Sequence, residues 1–420
     1  MSLEKIELAG RTSAARGGPP TAEKRAAFDY FSPGGVRMGL QTAIALDKLS
    51  LLHSVHVDAC LQPGITARFL ERVAGPRVTN RIVRDIPAAR VYNHPQLFAA
   101  ARYRQRQQLS GKDTAAVDRM LFRMYAWIAR QCHSEAVAGP PGASLELFGD
   151  RAYRVIEQFA PPRPYERAIA AQELARFPGW APDGVTRPTL RDQRVEEEWQ
   201  LADRIWVPSQ HLVGISQELG ADPRKFRVIP YPITALKRDS LARDTQDRRG
   251  RLRVVFAGTL MLEKGVQYIY QALRTRPRLP IEMHFYGPVN LTPLGVQRLA
   301  EVGTVHGPVP RSQLLREFCD ADALLFPSLS EGSALVTLEA TALGLPVVAT
   351  SEAGAPASAM VIPTRDPEAI GDAIEALADE PARLEQLAMT GLAEAARRTP
   401  ASYANSILSS LRPEAYSDAG

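Results

Sequence analysis

Along the second half of the chain, short apolar runs alternate with segments in which apolar residues recur at helical spacing. Short apolar runs predict strands at residues 252–257, 281–286, 304–306, 323–326 and 346–350. Helical periodicity between and after them covers residues 266–273, 294–300, 312–319, 334–343 and 367–378. Repeated β-α units of this kind predict a doubly wound parallel sheet, in which ligands bind at the carboxyl ends of the strands.

The first half of the chain alternates less regularly. It predicts strands at residues 27–30, 54–59, 154–159 and 204–207, with mostly helical sequence over residues 95–133. The polar run KRDSLARDTQDRRGR, residues 237–251, has no apolar periodicity and is typical of a linker. A chain of 420 residues is long enough for two domains. We predict an N-terminal domain at residues 1–234, a C-terminal domain at residues 235–398, and a last segment, residues 399–420, that returns to the N-terminal domain.

Charge is divided unequally between these halves. The chain carries +5 overall; residues 235–420 hold 19 Lys and Arg against 22 Asp and Glu, which leaves 32 against 24, or +8, for residues 1–234. A basic first half favours an anionic partner, such as a phosphate-bearing acceptor or an acidic membrane surface. A solvated helix face is the alternative. Nucleic acid is disfavoured as a partner, because the basic residues at 102–106 form one local cluster without a recognised nucleic-acid module.

The sequence predicts neither a membrane span nor a secretory signal. No apolar run approaches about 18 residues, and the first thirty residues lack a charged-then-apolar order. The chain is therefore predicted to be cytoplasmic, with peripheral attachment at the inner face of the membrane as an open alternative. Three widely spaced cysteines, Cys60, Cys132 and Cys319, favour free thiols that are buried as small apolar groups.

Two carboxylates stand in the apolar stretch SEGSALVTLEATALGLPVVAT, residues 330–350. Ser333 is the predicted N-cap of a helix, which a glycine and a proline then stop. Glu339 falls on the apolar stripe of this helix, while Glu331 lies in the preceding loop. Burying an ionised carboxylate without a partner costs several kcal/mol, and the stretch itself supplies no partner for Glu339.

The spacing of the two carboxylates indicates a ligand. From the helix start to Glu339 is roughly 9 Å along an α-helix, about the separation of the two sugars that flank a pyrophosphate. A nucleotide-sugar along this helix would offer its ribose hydroxyls to Glu339 and its transferred sugar to Glu331, with the diphosphate at the first helix amides. The alternative, an acid favoured by the helix dipole, explains Glu331 but poorly explains Glu339.

A second stretch, VVFAGTLMLEKGVQYIYQAL at residues 254–273, is typical of a strand, a turn and a helix. Gly258 allows a close turn at the end of the strand, and Lys264 with Gly265 stands where the helix begins. A lysine at a helix start is unfavourable unless it shares an anion with the helix dipole. Lys264 is therefore a candidate diphosphate contact, with an ordinary surface lysine as the alternative.

Together these motifs resemble those of retaining glycosyltransferases of family 4. The resemblance is carried by the glutamate pair of EGSALVTLE, which has seven residues between its acids, and by ATALGLPVVAT, FAGTLMLEKG, DADALLFPS, ADRIWVPS and RVIPYPI. It covers residues 196–380 well and the first 190 residues loosely. The resemblance implies an α/β protein with the GT-B fold, in which two doubly wound Rossmann-like domains face each other across a cleft.

The resemblance also implies roles for individual residues. Glu331, beside the donor sugar, and Lys264, on the diphosphate leaving group, would be catalytic. Glu339 would bind the ribose, and the rest of the donor would meet loop residues: Gly258, Thr259, Val309, Gly332, Ser333, Ala334 and Leu335. An N-terminal loop would close over the phosphates and the acceptor with Gly34, Gly35 and Arg37.

Two positions depart from the family pattern. Thr259 stands where many members carry an arginine, so one of the usual two cations on the diphosphate is missing; Arg37 or another basic residue of the first domain is a candidate replacement. Many members also carry a histidine of the first domain near the transferred sugar, and His133 is the candidate for that position here.

The implied reaction moves a sugar, with retention of configuration, from a nucleotide-diphosphate sugar to a hydroxyl of a glycan or lipid-linked acceptor, in the synthesis of cell-surface polysaccharide or glycoconjugate. We expect no cofactor and no metal, because Lys264 and the helix amides can stabilise the leaving diphosphate. Two alternatives stay open. One is a catalytically weakened GT-B protein that binds nucleotide-sugar or glycan as an assembly partner; the other is an epimerase or phosphorylase on the same fold.

Overall fold

The computed structural model describes residues 27–33, 37–61, 85–110, 112–182, 188–234, 236 and 250–411, and its strands form two parallel sheets. The first sheet contains Phe28–Ser32 (β1), Leu52–Val57 (β2), Val91–Asn93 (β3), Ala136–Gly139 (β4), Tyr153–Glu157 (β5), Arg204–Val207 (β6) and Phe226–Val228 (β7). The second contains Leu252–Ala257 (β8), Ile281–Tyr286 (β9), Thr304–Gly307 (β10), Ala323–Phe326 (β11), Val347–Thr350 (β12) and Met360–Ile362 (β13).

Helices join most of these strands. In the first half they are Arg37–Lys48 (α1), Pro95–Leu109 (α2), Ala115–Ala129 (α3), Leu145–Phe148 (α4), Arg163–Arg176 (α5), Leu190–Leu201 (α6) and Gln210–Glu218 (α7). In the second half they are Val266–Thr275 (α8), Pro293–Ala300 (α9), Arg311–Asp320 (α10), Leu335–Ala342 (α11), Pro367–Asp379 (α12), Pro381–Arg397 (α13) and Pro400–Ser410 (α14).

Both sheets are doubly wound. Their strand orders are β3-β2-β1-β4-β5-β6-β7 and β10-β9-β8-β11-β12-β13, and every neighbouring pair is parallel. Alternate side chains of the first sheet enter two hydrophobic clusters, with Tyr30 in one and Phe31 in the other, so both faces are covered. The strand order reverses beside β1 and beside β8, which places a crevice at the carboxyl ends of each sheet. The predicted doubly wound architecture is confirmed in both halves.

Each half also packs against a helix that the other half supplies. Helix α5 and Trp180 belong to the hydrophobic cluster of the second sheet, and the buried Glu173 accepts hydrogen bonds from Gln267 (2.9 Å), Tyr268 (2.7 Å) and Arg365 (2.7 Å). Conversely, α14 packs against α1 of the first half. The boundary near residue 235 stays a prediction, because residues 235 and 237–249 lie outside the described residues.

The predicted burial of the cysteines is confirmed: Cys60, Cys132 and Cys319 are all buried thiols.

A buried carboxyl group ties α14 to the first sheet. Glu157, the last residue of β5, accepts hydrogen bonds from Tyr30 and from Thr42 (2.7 Å), and Thr42 shares a further hydrogen bond with Tyr403 of α14 (2.7 Å). Burial raises the pKa of Glu157 from 4.5 to about 7, against the opposite effect of the two hydrogen bonds.

This raised pKa predicts that stability falls as pH rises from about 4.5 to about 7, because the folded protein retains a proton that the unfolded chain has lost. Burial raises the pKa of Glu198 to about 7 as well, so both carboxyls lower the free energy of unfolding as the pH rises. We expect Glu157→Gln to reduce the difference in Tm between pH 5 and pH 8, measured by circular dichroism. The exposed Glu196→Gln is the control, and equal pH dependence in the two variants would contradict the assignment to Glu157.

Candidate active site

The loop after β8 places Lys264 at the beginning of α8. A short 3-10 helix, Leu262–Lys264, leads to Gly265, which has φ of +74°. A Cβ at Gly265 would lie 2.0 Å from the carbonyl oxygen of Pro327. Glycine is therefore required both by the left-handed backbone and by the close approach of the loop that follows β11.

Strands β8 and β11 are neighbours in the sheet, so the loops that follow these two strands meet. This contact brings the two predicted catalytic residues together. The amide of Leu329 donates to the carbonyl of Glu263 (2.9 Å). Lys264 Nζ lies 2.5 Å from Glu331 Oε1, and the two side chains are 19% and 25% exposed. The charged pair therefore lies at the carboxyl edge of the second sheet with access to solvent.

The loop after β12 fixes the backbone around Glu331. The Glu331 amide donates to the carbonyl of Glu352 (2.8 Å), and the Ala334 amide donates to the carbonyl of Ala353 (3.0 Å). Gly354, with φ of +58°, passes so close that a Cβ there would lie 2.4 Å from the carbonyl oxygen of Gly332. Three consecutive loops of the sheet thus hold the glutamate-bearing segment in place.

The predicted N-cap of α11 is wrong. Ala334, not Ser333, is the N-cap, and no side chain caps this helix. The bond from the Ala334 amide to the loop after β12 holds Ala334 in extended conformation, so the helix begins one residue later than predicted. This hydrogen bond also occupies the amide of Ala334, which was predicted to contact the donor.

Glu339 has a partner within the chain, from outside the apolar stretch that holds it. Arg311 Nε lies 2.8 Å from Glu339 Oε1, and the Glu339 side chain is 12% exposed. Arg311 is the first residue of α10, directly after the loop that contains the half-buried Val309. Arg311 was not predicted from the sequence, although its place at a helix start after a strand of the same sheet was a signal for it.

The two halves of the molecule meet at Glu339 around a cavity of about 50 Å³. Arg311, Leu335, Leu338 and Glu339 line it from the second half; the first half contributes Gln41, Pro232 and Thr234, and Leu236 completes the lining. Small-molecule sites usually occupy about 300–1,000 Å³. A nucleotide would therefore enter only if the two halves moved apart at this point.

A second contact between the halves lies beside Glu331. A Cβ on Gly332 would lie 2.0 Å from the carbonyl oxygen of Phe159, which follows β5. Only a residue without a side chain allows this approach, so Gly332 marks the point where the second half closes onto the first.

The first half brings two charged residues toward the Lys264–Glu331 pair. Helix α5 packs against the Leu262–Lys264 turn, and its first residue, Arg163, lies 3.2 Å from Glu166. Burial raises the pKa of Glu166; the charges of Arg163 and Lys264 oppose this rise, and that of Glu331 adds to it. Glu166 thus lies within electrostatic reach of the predicted catalytic pair, with Arg163 as its own ion-pair partner, and no sequence motif pointed to either residue.

The other predicted residues are placed as follows. Gly34 and Gly35 lie outside the described residues, and Arg37 begins α1, where only its backbone is described. Gly258 and Thr259 follow β8 and are half-buried. His133 is exposed, and its amide donates to Asp29 (2.7 Å).

The chain contains an Asp-x-Asp triplet at residues 320–322, and it lies at the opposite edge of the second sheet. Asp322 precedes β11 and accepts the amide of Arg253 (2.7 Å), whereas the site residues follow the strands. Within the described ranges, no three His, Cys, Asp or Glu residues form a group that could hold a metal ion. In the same part of the chain, the helices are all too short or too polar to cross a membrane.

Comparison with known proteins identifies relatives of the part of the chain that contains Lys264, Glu331 and Glu339. Residues 251–380 match the family model of glycosyl transferases group 1. The D-inositol 3-phosphate glycosyltransferase of Segniliparus rotundus is 28% identical over 270 residues, which are 58% of this chain and 58% of that protein. The D-inositol 3-phosphate glycosyltransferase of Paenarthrobacter aurescens is 34% identical over 152 residues, or 32% of this chain and 37% of that protein. The chain thus spans about half the length of these relatives.

Solved structures match over almost the whole chain. HepE of Anabaena, solved in complex with UDP-glucose, superposes with a TM-score of 0.56 at 14% identity, covering 92% of this chain and 99% of that chain. The family model includes Lys264, Glu331 and Glu339, and the structural likeness extends to both sheets. Residues 251–380 therefore resemble the glycosyl transferases group 1, and the chain has the GT-B fold.

Proposed function

We propose that this protein is a glycosyltransferase that moves a sugar from a nucleotide-diphosphate sugar to an acceptor hydroxyl. The observation that carries the proposal is the pairing of two carboxylates with two cations along one edge of the cleft, Lys264 with Glu331 and Arg311 with Glu339. The names of the relatives and the UDP-glucose bound to HepE support this class of reaction and of donor.

In this proposal, Lys264 neutralises the diphosphate as it leaves, and Glu339 exchanges Arg311 for the ribose hydroxyls. Arg163 is the candidate for the second cation that Thr259 does not provide, because it begins α5, the helix of the first half that packs against the Leu262–Lys264 turn. Fixed charges at the developing anion are usually the largest contribution to catalysis of this type. Transfer then needs neither a cofactor nor a metal ion.

Retention of configuration is the proposed stereochemistry. Because Glu331 is already bonded to Lys264, its carboxylate is better suited to orient sugar hydroxyls than to attack the anomeric carbon. The acceptor hydroxyl would then approach on the face that the diphosphate leaves, where the leaving group can take its proton. The closing halves would keep water from competing with the acceptor.

A glycan or lipid-linked acceptor is the proposed partner on the first half, with a peripheral membrane contact. Exposed cations and aromatic rings share the outer surface of α2 and α3, among them Arg102, Tyr103, Arg123 and Trp127. Arginines attract anionic groups, and exposed aromatic side chains favour sugar rings and membrane interfaces. These residues support an acceptor with phosphate or sugar groups.

Replacing Glu339, the residue proposed to bind the ribose, tests the proposal. A thermal-shift screen of UDP-, GDP-, ADP- and dTDP-sugars identifies the donor, and calorimetry then measures its Kd. We expect Glu339→Ala to weaken donor binding by about 10- to 100-fold, because hydrogen bonds to a charged group are lost. The exposed Glu385→Ala on α13 is the control. Unchanged donor affinity in Glu339→Ala would remove Glu339 from the site.

The second candidate is a GT-B protein that binds a nucleotide-sugar without turnover, and Thr259 favours it because it removes a cation from the diphosphate site. The two candidates differ in donor hydrolysis as well as in transfer. If the wild-type protein binds a nucleotide-sugar but releases no nucleotide with any donor and acceptor, the binding role is favoured.

A further inference from the structure

The turn that carries Lys264 is held from the interior of the protein by a buried glutamine. Gln267, on the first turn of α8, donates from Nε2 to the carbonyl of Leu262 (2.9 Å). The same carbonyl accepts the amide of Gly265 (2.9 Å), which closes the Leu262–Lys264 turn. A carbonyl oxygen has two lone pairs, so these two donors use its full capacity and fix the backbone that leads to Lys264.

The side chain of Gln267 has one fixed orientation. It is fully buried, and its Nε2 atom also donates to the carboxylate of Glu173 (2.9 Å). Among the described residues, Gln267 Oε1 has no hydrogen-bond partner. Turning the amide over would place its oxygen against two other oxygens, so the donor stays on the Leu262 carbonyl although one buried acceptor is left unpaired.

Glu173 is itself fixed by groups of both halves. Its carboxylate accepts hydrogen bonds from Tyr268 (2.7 Å) and from Nε of Arg365 (2.7 Å), and Arg176 lies 3.8 Å away. Arg365 has φ of +61°, in the left-handed region that residues with a side chain rarely adopt. Such a conformation persists only where the surroundings hold it, and the bond to Glu173 is one of these contacts. Glu173 is therefore a fixed acceptor for Gln267.

We propose that Gln267 is a positioning residue for sugar transfer and acts through Lys264. The turn is held on its other side by the loop after β11, where the amide of Leu329 donates to the carbonyl of Glu263 (2.9 Å). These bonds set where the Lys264 side chain begins, and a shift of about 1 Å between reacting groups can lower a rate about 10²-fold. The inference rests on the proposed function, in which Lys264 neutralises the leaving diphosphate.

A double-mutant cycle tests the proposal. Gln267→Met removes both hydrogen bonds and fills a similar volume. We expect it to lower kcat about 10-fold and to change the donor KM by less than about 2-fold. In the Lys264→Ala background the positioned group is absent, so the same substitution should lower kcat by less than about 2-fold. The exposed Gln297→Met, on α9, is the control and should keep wild-type kinetics.

Two outcomes of this cycle would overturn the proposal. One is an unchanged kcat when Gln267→Met is made in the wild-type protein. The other is an equal loss of kcat in both backgrounds, because Gln267 would then act only on the fold.

A second variant covers the case in which Gln267→Met does not fold, which a circular-dichroism melt detects. Gln267→Asn keeps an amide but is one methylene shorter, so it cannot span the two acceptors on Leu262 and Glu173. It should also lower kcat more in the wild-type background than in Lys264→Ala. Equal losses in the two backgrounds would again count against positioning.

Nucleotide binding distinguishes failure of this inference from failure of the proposed function. If the wild-type protein binds UDP, GDP, ADP or dTDP in calorimetry but turns over no donor, the transfer reaction fails, and the Kd of the tightest nucleotide replaces kcat in the same cycle. A Kd that Gln267→Met raises at least about 3-fold in the wild-type background alone would support the positioning of Lys264. An equal change in both backgrounds, or binding of none of the four nucleotides, would overturn it.

Discussion

Lys264→Ala should lower turnover by about 10²- to 10³-fold, the usual cost of removing one fixed charge from a developing anion. In the proposed reaction, negative charge grows on the diphosphate as the sugar leaves, and Lys264 is the cation that pairs with Glu331. The loss should fall mainly on kcat, since this interaction strengthens as the bond breaks. Initial rates at saturating donor measure the effect, and Lys112→Ala, an exposed lysine of the first half, is the control.

The ion pair adds a complication that a second variant resolves. Without Lys264, Glu331 becomes an unpaired carboxylate next to the diphosphate and repels it. Lys264→Ala with Glu331→Gln removes this repulsion, so recovery of full turnover would show that Lys264 only neutralises Glu331. Turnover that stays at least 10-fold below that of Glu331→Gln alone would support direct action on the diphosphate.

Gly332→Ala should lower turnover by about 10²-fold, because misplacement of about 1 Å between reacting groups has an effect of this size. The added Cβ would lie 2.0 Å from the carbonyl oxygen of Phe159, which is backbone of the other half and cannot rotate away. The two halves should then stay apart at this point. We expect the radius of gyration from small-angle X-ray scattering to remain larger with donor bound than in wild type.

A matched substitution separates closure from a general effect of alanine. Gly214, in α7, has no atom within 4 Å of an added Cβ, so Gly214→Ala meets no obstacle and should keep wild-type kinetics. Wild-type turnover in Gly332→Ala would mean that the Phe159 contact is absent from the reacting state, and the closed arrangement would lose its proposed role.

The sequence predicted the second sheet better than the first, for reasons visible in individual strands. Strands β8, β9 and β11 have the predicted ends. β11 is a continuous apolar run, as is usual for a buried parallel strand, and β8 and β9 are mostly apolar with one or two polar residues inside them. Strands β3, β7 and β13 contain only three residues each, too few to produce a periodic pattern, and they were missed. Their positions are set by pairing with neighbouring strands, which a local pattern does not encode.

The candidate site was predictable where its residues share one short segment of the chain and not where they meet across the fold. Glu331 and Glu339 were found because their spacing along one segment has a direct geometric meaning. Arg311 pairs with Glu339 through the order of strands in the sheet, and Gly332 meets Phe159 where the two halves of the molecule pack together. Neither contact follows from residues that are close in sequence.

The exchange of helices between the halves has a consequence for the order in which the protein can fold during synthesis. The first sheet is translated early, yet the hydrophobic cluster on one of its faces includes Tyr403, Ala404 and Ile407 of α14, near the end of the chain. That face therefore stays incomplete until α14 has left the ribosome. Helix α5 likewise has to wait for the second sheet before Glu173 and Trp180 gain their partners. Each surface stays exposed on the nascent chain until its partner has been made, and a chaperone that binds apolar segments can bind there meanwhile.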